Sequence, residues 1–315
     1  MIAVISNPRS GHNRRHFAEI AAALAARPDV RHFVTASEEE LPGILAELTP
    51  HPPELLVVNG GDGTAAAVFG VLDALPAERR PPLALLPAGT ANMTAGDVGI
   101  RGSLRAALRR LLAWMEAPAG AGTLVERSVL RVESGDQAPR YGMFLGAGLI
   151  MAGTEYAHRA LHARGLRDDF SLGLGLVRTL WGLARGEPDF RRSQPLALTF
   201  DGVARQEYDA LIVAVSTLER LFLGIRPFWG GEDGPLALSL IETGAPQLLR
   251  NFPGLLRGRP GAGATPAAGY HSHRARDLSL TLDGACNLDG EILRVSSAQG
   301  PLRIGAAGPL RFLRL

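Results

Sequence analysis

The residues best equipped for chemistry sit in one short run, Gly60-Gly61-Asp62-Gly63-Thr64, between the apolar stretch Leu55-Leu56-Val57-Val58-Asn59 and a helical pattern from Ala65 to Leu75. Three glycines let backbone amides approach an anion closely, a helix N-terminus adds partial positive charge, and Thr64 can cap that helix or touch a phosphate. A plain strand-to-helix turn rarely needs three glycines around an acid. Gly61-x-Gly63-x-x-Ala66 also matches the dinucleotide-binding fingerprint. That alternative fails twice: Asp62 would carry negative charge toward a pyrophosphate, and the next strand ends at Leu86-Pro87-Ala88 without an acid for the ribose. A carboxylate beside phosphates fits Mg²⁺ chemistry or a base toward an attacking hydroxyl, which is phosphoryl transfer.

Two more loops of small and hydroxyl-bearing residues follow apolar runs. Ala3-Val4-Ile5 leads through Asn7-Pro8-Arg9-Ser10-Gly11 into a helical stretch from Arg14 to Ala26, and Leu83-Ala84-Leu85-Leu86 leads into Pro87-Ala88-Gly89-Thr90-Ala91-Asn92. Between them, Arg31 to Thr35 precedes Glu38-Glu39-Glu40 and a helix to about Leu48, with the acids at the positive end of the helix dipole. Apolar strands alternating with helices predict an α/β, doubly wound parallel sheet, whose ligands sit beyond the carboxyl ends of the strands. The three loops should therefore converge. After Arg127 the texture changes to strands between turn signals: Val129 to Glu133, Tyr141 to Phe144, Leu196 to Phe200, Ala210 to Val215, Leu236 to Ile241, Leu278 to Leu282 and Ile292 to Val295. This predicts an antiparallel β-sandwich interrupted by a helical insertion at about Thr154 to Arg185. The expected domains are 1–127, which 303–315 could rejoin, and 128–302.

Composition removes several classes. The 315 residues are 46% hydrophobic and 20% charged, too apolar for a disordered chain. Lys plus Arg is 33 against 31 acids, a net charge of +2, so no nucleic-acid partner is expected. All the basic residues are Arg, which excludes a Walker-A lysine and a Schiff base. The single Cys286 excludes internal disulfides and a multi-cysteine zinc site. Neither a leader nor a spanning segment is evident, so a cytoplasmic protein with at most peripheral membrane contact is expected. His158-x-x-x-His162 has helical spacing without a third ligand, and it is read, like His12, His16, His271 and His273, as a set of surface histidines.

Asn7-Pro8-x-Ser10-Gly11, Gly60-Gly61-Asp62-Gly63-Thr64, Pro87-x-Gly89-Thr90-x-Asn92 and Leu288-Asp289-Gly290-Glu291, in this order over nearly the whole chain, resemble the diacylglycerol kinase catalytic family, with its sphingosine, ceramide and bacterial lipid kinases. The resemblance implies an ATP-binding α/β domain joined to a β-sandwich domain. It implies a nucleotide site from Asn7, Ser10, Gly11, Thr35, Gly60, Gly61, Gly63, Thr64, Gly89, Thr90 and Asn92, with Arg164 and Arg167 the nearest matches to phosphate-reaching basic residues. For the base the family offers Asp62 or Glu291. Our assignment is Glu291 as proton acceptor from the lipid hydroxyl, Asp62 organising Mg²⁺-ATP and Asp289 supporting.

The chain departs from the family pattern in places. Met93 stands where many members have Asp, a contact that Asp97 could supply, and Glu126 stands where members often have Asp before the first strand of the second domain. Gly230-Gly231-Glu232-Asp233-Gly234-Pro235 resembles a structural Mg²⁺ loop, with Asp233 as its side-chain ligand. Leu149 to Gly153 carries no carboxylate for a cationic amine, which favours a neutral acceptor such as diacylglycerol or ceramide. Leu248 to Arg259, with Arg250, Arg257 and Arg259, suits an anionic membrane surface at the inner face of the cytoplasmic membrane, and Phe228-Trp229 could add an anchor. A homodimer is compatible with the chain. The rivals are a kinase of a soluble acceptor such as NAD, and a non-catalytic lipid- or nucleotide-binding regulator on the same fold.

Overall fold

A computed structural model of the chain describes residues 1–117, 122–155 and 193–315, together with 178, 181–183, 185 and 187. Contacts divide it into two units. The first comprises Met1–Val129, Arg220–Phe222 and Ala307–Leu315. Its strands β1 (Ile2–Ser6), β2 (Val30–Val34), β3 (Leu55–Gly60) and β4 (Leu83–Pro87) lie in the order β2-β1-β3-β4, and every pair is parallel. All residues of β1, β3 and β4 are buried, as expected where helices cover both faces. The connecting helices are α1 (Asn13–Ala25), α2 (Leu41–Leu48) and α3 (Asp62–Asp73), followed by α4 (Met93–Val98) and α5 (Leu104–Glu116). On α5, Leu104, Ala107, Leu108 and Leu111 recur at i, i+3, i+4 and i+7 and pack with Val4, Val57 and Ala84.

The open side of β4 is taken by the last strand of the chain, β15 (Leu302–Arg314), through Phe312 opposite Leu83. Phe312 meets Phe69 of α3 edge-on, ring centroids 5.8 Å apart, and both are fully buried.

The second unit holds Leu130–Glu219 and Leu223–Ala306 and is antiparallel β. Its main path runs β14 (Glu291–Val295), β13 (Gly284–Leu288), β7 (Phe144–Gly148), β9 (Gln206–Ser216), β8 (Gln194–Phe200), β12 (Asp277–Leu282) and the start of β15. The long β9 carries β8 beside residues 206–210 and β7 beside 212–216, while β10 (Leu236–Glu242) pairs with its other edge and β11 (Tyr270–Ala275) pairs with β10. β6 (Arg140–Gly142) pairs with the end of β5 (Thr123–Glu133). Alternating leucines such as Leu278, Leu280 and Leu282 fill one continuous core with Leu130, Leu145, Val213 and Leu238. Cys286 lies in that core, where burial pushes its thiol up to about 12 and removes it from thiolate chemistry.

Four local expectations change. The strand expected over 141–144 breaks at Met143, whose N–H is held by the Asp289 carboxylate. β11 and β13 lack strong apolar alternation: Tyr-His-Ser-His-Arg-Ala and Gly-Ala-Cys-Asn-Leu are strands because their neighbours need them, not by composition. His271 and His273 are not free surface groups, since they meet Glu242 and Glu232 at 2.8 and 2.7 Å. The helix expected from Thr154 begins at 149 and is described to 155, while His158 and His162 lie outside the described residues.

Phe312→Ala should lower the unfolding free energy by ~3–5 kcal/mol, the usual range for a buried phenylalanine. Chemical denaturation of the full chain would measure it, and a change below ~1 kcal/mol would mean that the last strand is not integral to the first unit.

Candidate active site

In the first unit, the loops after β1, β3 and β4 meet backbone against backbone. Asn13 donates through Nδ2 to the carbonyls of Asn7 (2.8 Å) and Asn59 (3.0 Å), fastening the first loop to the end of β3. Asn7 Nδ2 donates to Thr64 Oγ1 at 3.1 Å, the Gly61 N–H donates to Ser10 Oγ at 3.2 Å, and the His12 N–H donates to the Ala88 carbonyl at 2.8 Å. A Cβ on Gly89 would lie 2.6 Å from the Gly61 Cα, and one on Gly11 would lie 2.9 Å from Thr90 Oγ1. At Gly89 a side chain would force the two loops apart, and at Gly11 it would displace the Thr90 hydroxyl. Asn92, left-handed at φ 48°, closes its own loop: the Gly89 N–H donates to its Oδ1 at 2.7 Å, and its Nδ2 donates to the Gly89 carbonyl at 3.0 Å.

Of the expected nucleotide residues, Asn7, Ser10, Gly11, Gly61, Thr64, Gly89, Thr90 and Asn92 are thus brought together, with Gly60 and Gly63 in the same run. Thr35 is buried and turned into its own loop, where its Oγ1 donates to the Ser37 carbonyl at 2.5 Å. Arg164 and Arg167 lie outside the described residues.

Asp62 is 8% exposed. Its Oδ1 accepts from the Thr94 N–H at 3.1 Å and its Oδ2 from the Met93 N–H at 3.3 Å, so one carboxylate caps the first turn of α4. Burial raises its pKa above the ordinary aspartate value, and the backbone N–H groups of Thr94, Met93 and Asn92 oppose that rise in part. Both oxygens face protein N–H groups, so this carboxylate also holds the third loop in place. Among the described residues, no group of three or more His, Cys, Asp or Glu side chains could hold a metal by itself.

Asp97 does not substitute for the acid missing at Met93. It is fully buried between Arg127 Nη2 (3.8 Å) and Arg314 Nη2 (3.9 Å), and Arg314 also donates to its carbonyl at 2.5 Å. That pair of guanidinium groups fixes the far end of α4. Sequence reasoning missed it because the three residues lie on three separate elements.

In the second unit, Asp289 and Gly290, at φ 48° and 100°, form the two-residue turn of the β13–β14 hairpin, which needs left-handed backbone at both positions. The Asp289 carboxylate accepts from the N–H groups of Met143 (2.7 Å) and Phe144 (3.0 Å). Asp289 therefore clamps the hairpin to the start of β7, and its support of the site is positional. The Gly290 N–H donates to Asn287 Oδ1 at 2.8 Å, and Asn287 Nδ2 donates to Thr154 Oγ1 at 3.0 Å. Glu291, next in the chain, is half-exposed with Arg140 Nη1 at 3.6 Å.

Glu126 is exposed on β5. Asp233 is exposed in a loop held by its neighbours: Glu232 accepts from the Arg274 N–H at 3.1 Å, and the Gly234 carbonyl accepts from Arg274 Nη1 at 3.3 Å.

The family profile of the diacylglycerol kinase catalytic domain matches residues 1–123. That segment belongs to the diacylglycerol kinase catalytic-domain family. A relative from Chromohalobacter salexigens, named as a probable lipid kinase, YegS-like, is 36% identical over 80 residues, which cover 25% of this chain and 26% of that protein. The alignment thus spans about a quarter of the relative's length. Two solved structures from Bacillus anthracis, both of suggested diacylglycerol kinases, are 18% identical with a TM-score of 0.68. One covers 99% of this chain and 94% of its own, the other 100% and 97%, so the diacylglycerol kinase fold extends through the β-sandwich.

Within the catalytic domain, the raised pKa of Asp62 has a thermodynamic consequence. A group protonated more readily in the folded than in the unfolded state adds stability that is fully present below the unfolded value and is lost as pH rises through the folded value. The unfolding free energy should therefore carry a falling component above pH 3.8, and Asp62→Asn should flatten it. Denaturant titrations at several pH values measure both slopes, and identical slopes would show that Asp62 is not perturbed.

Proposed function

We propose that the protein is an ATP- and Mg²⁺-dependent lipid kinase that phosphorylates a primary hydroxyl of a neutral lipid, diacylglycerol or ceramide, at the inner face of the cytoplasmic membrane. The observation that carries this reading is the glycine-lined meeting of three strand-end loops within a diacylglycerol kinase catalytic domain. With no lysine in the chain, the triphosphate is held by backbone amides around Gly61, Gly63 and Gly89 and by the hydroxyls of Ser10, Thr64 and Thr90. Mg²⁺ would be held by the phosphates of the nucleotide beside the loops that Asp62 fastens, and would neutralise part of their charge.

Glu291 serves as the base. As the lipid oxygen attacks the γ-phosphorus, the carboxylate takes the hydroxyl proton, a new P–O bond forms, and the bond to the β-phosphate oxygen breaks to release ADP. The support for this role is relative: of the two acids in the late motif, Asp289 is committed to backbone N–H groups, whereas Glu291 is half-exposed on a turn that Asp289 holds still. The segment after Gly148 offers Leu149, Ile150, Met151 and Ala152 and no carboxylate, which supports an uncharged acceptor.

The test is phosphate transfer from γ-labelled ATP with Mg²⁺ to mixed micelles of diacylglycerol, ceramide, sphingosine and monoacylglycerol, with NAD as soluble control. Labelled phosphatidate or ceramide phosphate is expected, and label confined to NADP would replace this reading by a soluble acceptor. Glu291→Gln should lower kcat at least ~100-fold with unchanged thermal unfolding, in line with the loss of a general base. Gly89→Ala should raise the KM for ATP at least ~10-fold, as expected when the amides around an anion are displaced. Unchanged kinetics in either variant would remove the role assigned to that residue.

A further inference from the structure

We propose that the helix Leu248–Leu255 (α6) and the loop beside its end form a docking face for an anionic lipid bilayer. The inference deepens the lipid-kinase reading and rests on it for the choice of partner, while its geometry is independent.

The charge pattern is one-sided. From Thr243 to Arg276 the chain contains no Asp or Glu, while it carries Arg250, Arg257, Arg259, Arg274 and Arg276. The segment from Leu221 to Gly231 likewise has Arg226 and no acid. Among the described residues, no ion pair joins a carboxylate to Arg226, Arg250, Arg257 or Arg259. Arg257 is held by its own helix, with Nη1 donating to the Pro253 carbonyl at 3.0 Å.

The helix has two distinct sides. Leu255 is buried with Ile241, Ala264 and Tyr270, and Leu248, one full repeat earlier, packs on the same cluster. On the other side Leu249 is 46% exposed, and Arg250, Pro253 and Arg257 are exposed with it at spacings of three and four. The Tyr270 hydroxyl donates to the Pro246 carbonyl at 2.6 Å, and Asn251 Nδ2 donates to that hydroxyl at 3.4 Å, so the outward side is fixed.

The loop beside it is tied by backbone. The Arg226 N–H donates to the Leu256 carbonyl at 2.8 Å, and Gly258 passes so close that a Cβ there would lie 2.8 Å from the Arg226 carbonyl oxygen. That loop begins at Leu223, 67% exposed and left-handed at φ 54°. Trp229, by contrast, packs on the core cluster and is no anchor.

Exposed leucines flanked by arginines without carboxylate partners match the boundary of a bilayer. The leucines enter the acyl region while the guanidinium groups stay among the phosphates. A soluble polyanion would engage the arginines and gain nothing from Leu223 or Leu249.

The test is cosedimentation of the full chain, without nucleotide, with phosphatidylcholine vesicles that contain or lack phosphatidylglycerol. Binding is expected to the anionic vesicles alone. Replacing Arg250, Arg257 and Arg259 together by Ser should weaken it ~100-fold, and Leu223→Ser with Leu249→Ser should weaken it ~10-fold. Transfer to a dispersed short-chain diacylglycerol and the thermal unfolding midpoint should be unchanged in both variants. No vesicle binding, equal binding to neutral vesicles, or wild-type binding by either variant overturns the proposal. Vesicle binding without phosphate transfer to any acceptor would instead sink the lipid-kinase reading and leave the docking face standing.

Discussion

The approach of Gly61 to Gly89 constrains everything else in the first unit. Two chain segments can come this close only where both lack a Cβ, and only if the strands that carry them are adjacent and in register. β3 and β4 meet that condition as parallel neighbours, with Asn59 opposite Leu86 and Gly60 opposite Pro87. The polar side chains then act as fasteners between main chains. Asn13, Asn7, Ser10, Asn92 and Asp62 each connect a loop to backbone or to a hydroxyl, and together they hold in fixed orientation a group of amides that would otherwise be mobile turns. Preorganised dipoles of this kind can bind an anion without a cationic side chain.

The second unit solves a different problem. Its hairpin turn carries Asp289 at a point where the neighbouring strands must still satisfy their own hydrogen bonds. Asp289 does this by taking two N–H groups at the break between β6 and β7, where the ladder would otherwise leave them unmatched. The break in the strand and the acid of the turn are one feature.

What the sequence made legible was local. Glycines next to hydroxyls at strand ends, the alternation of strands and helices, and the leucine periodicity of the late strands all depend on neighbours within a few residues. What it hid was non-local. The partners of Asp62 are main-chain groups 31 and 32 residues away, which no side-chain pattern encodes. The buried Asp97 with Arg127 and Arg314 draws on α4, β5 and β15. β11 reads as polar because its two histidines find carboxylates on other segments and so need not be solvated.

The placement of residues 307–315 also bears on how the chain is made. β4 leaves the ribosome early, yet the strand that covers its outer edge follows only after the whole β-sandwich has been translated. At 5–20 residues per second that interval is on the order of ten seconds or more. During it, a fully apolar strand with an unpaired edge stands open to any other nascent chain. Translation therefore passes through a stage at which the first unit is nearly built but still adhesive, a window in which chaperone capture would matter more than the stability of the finished fold.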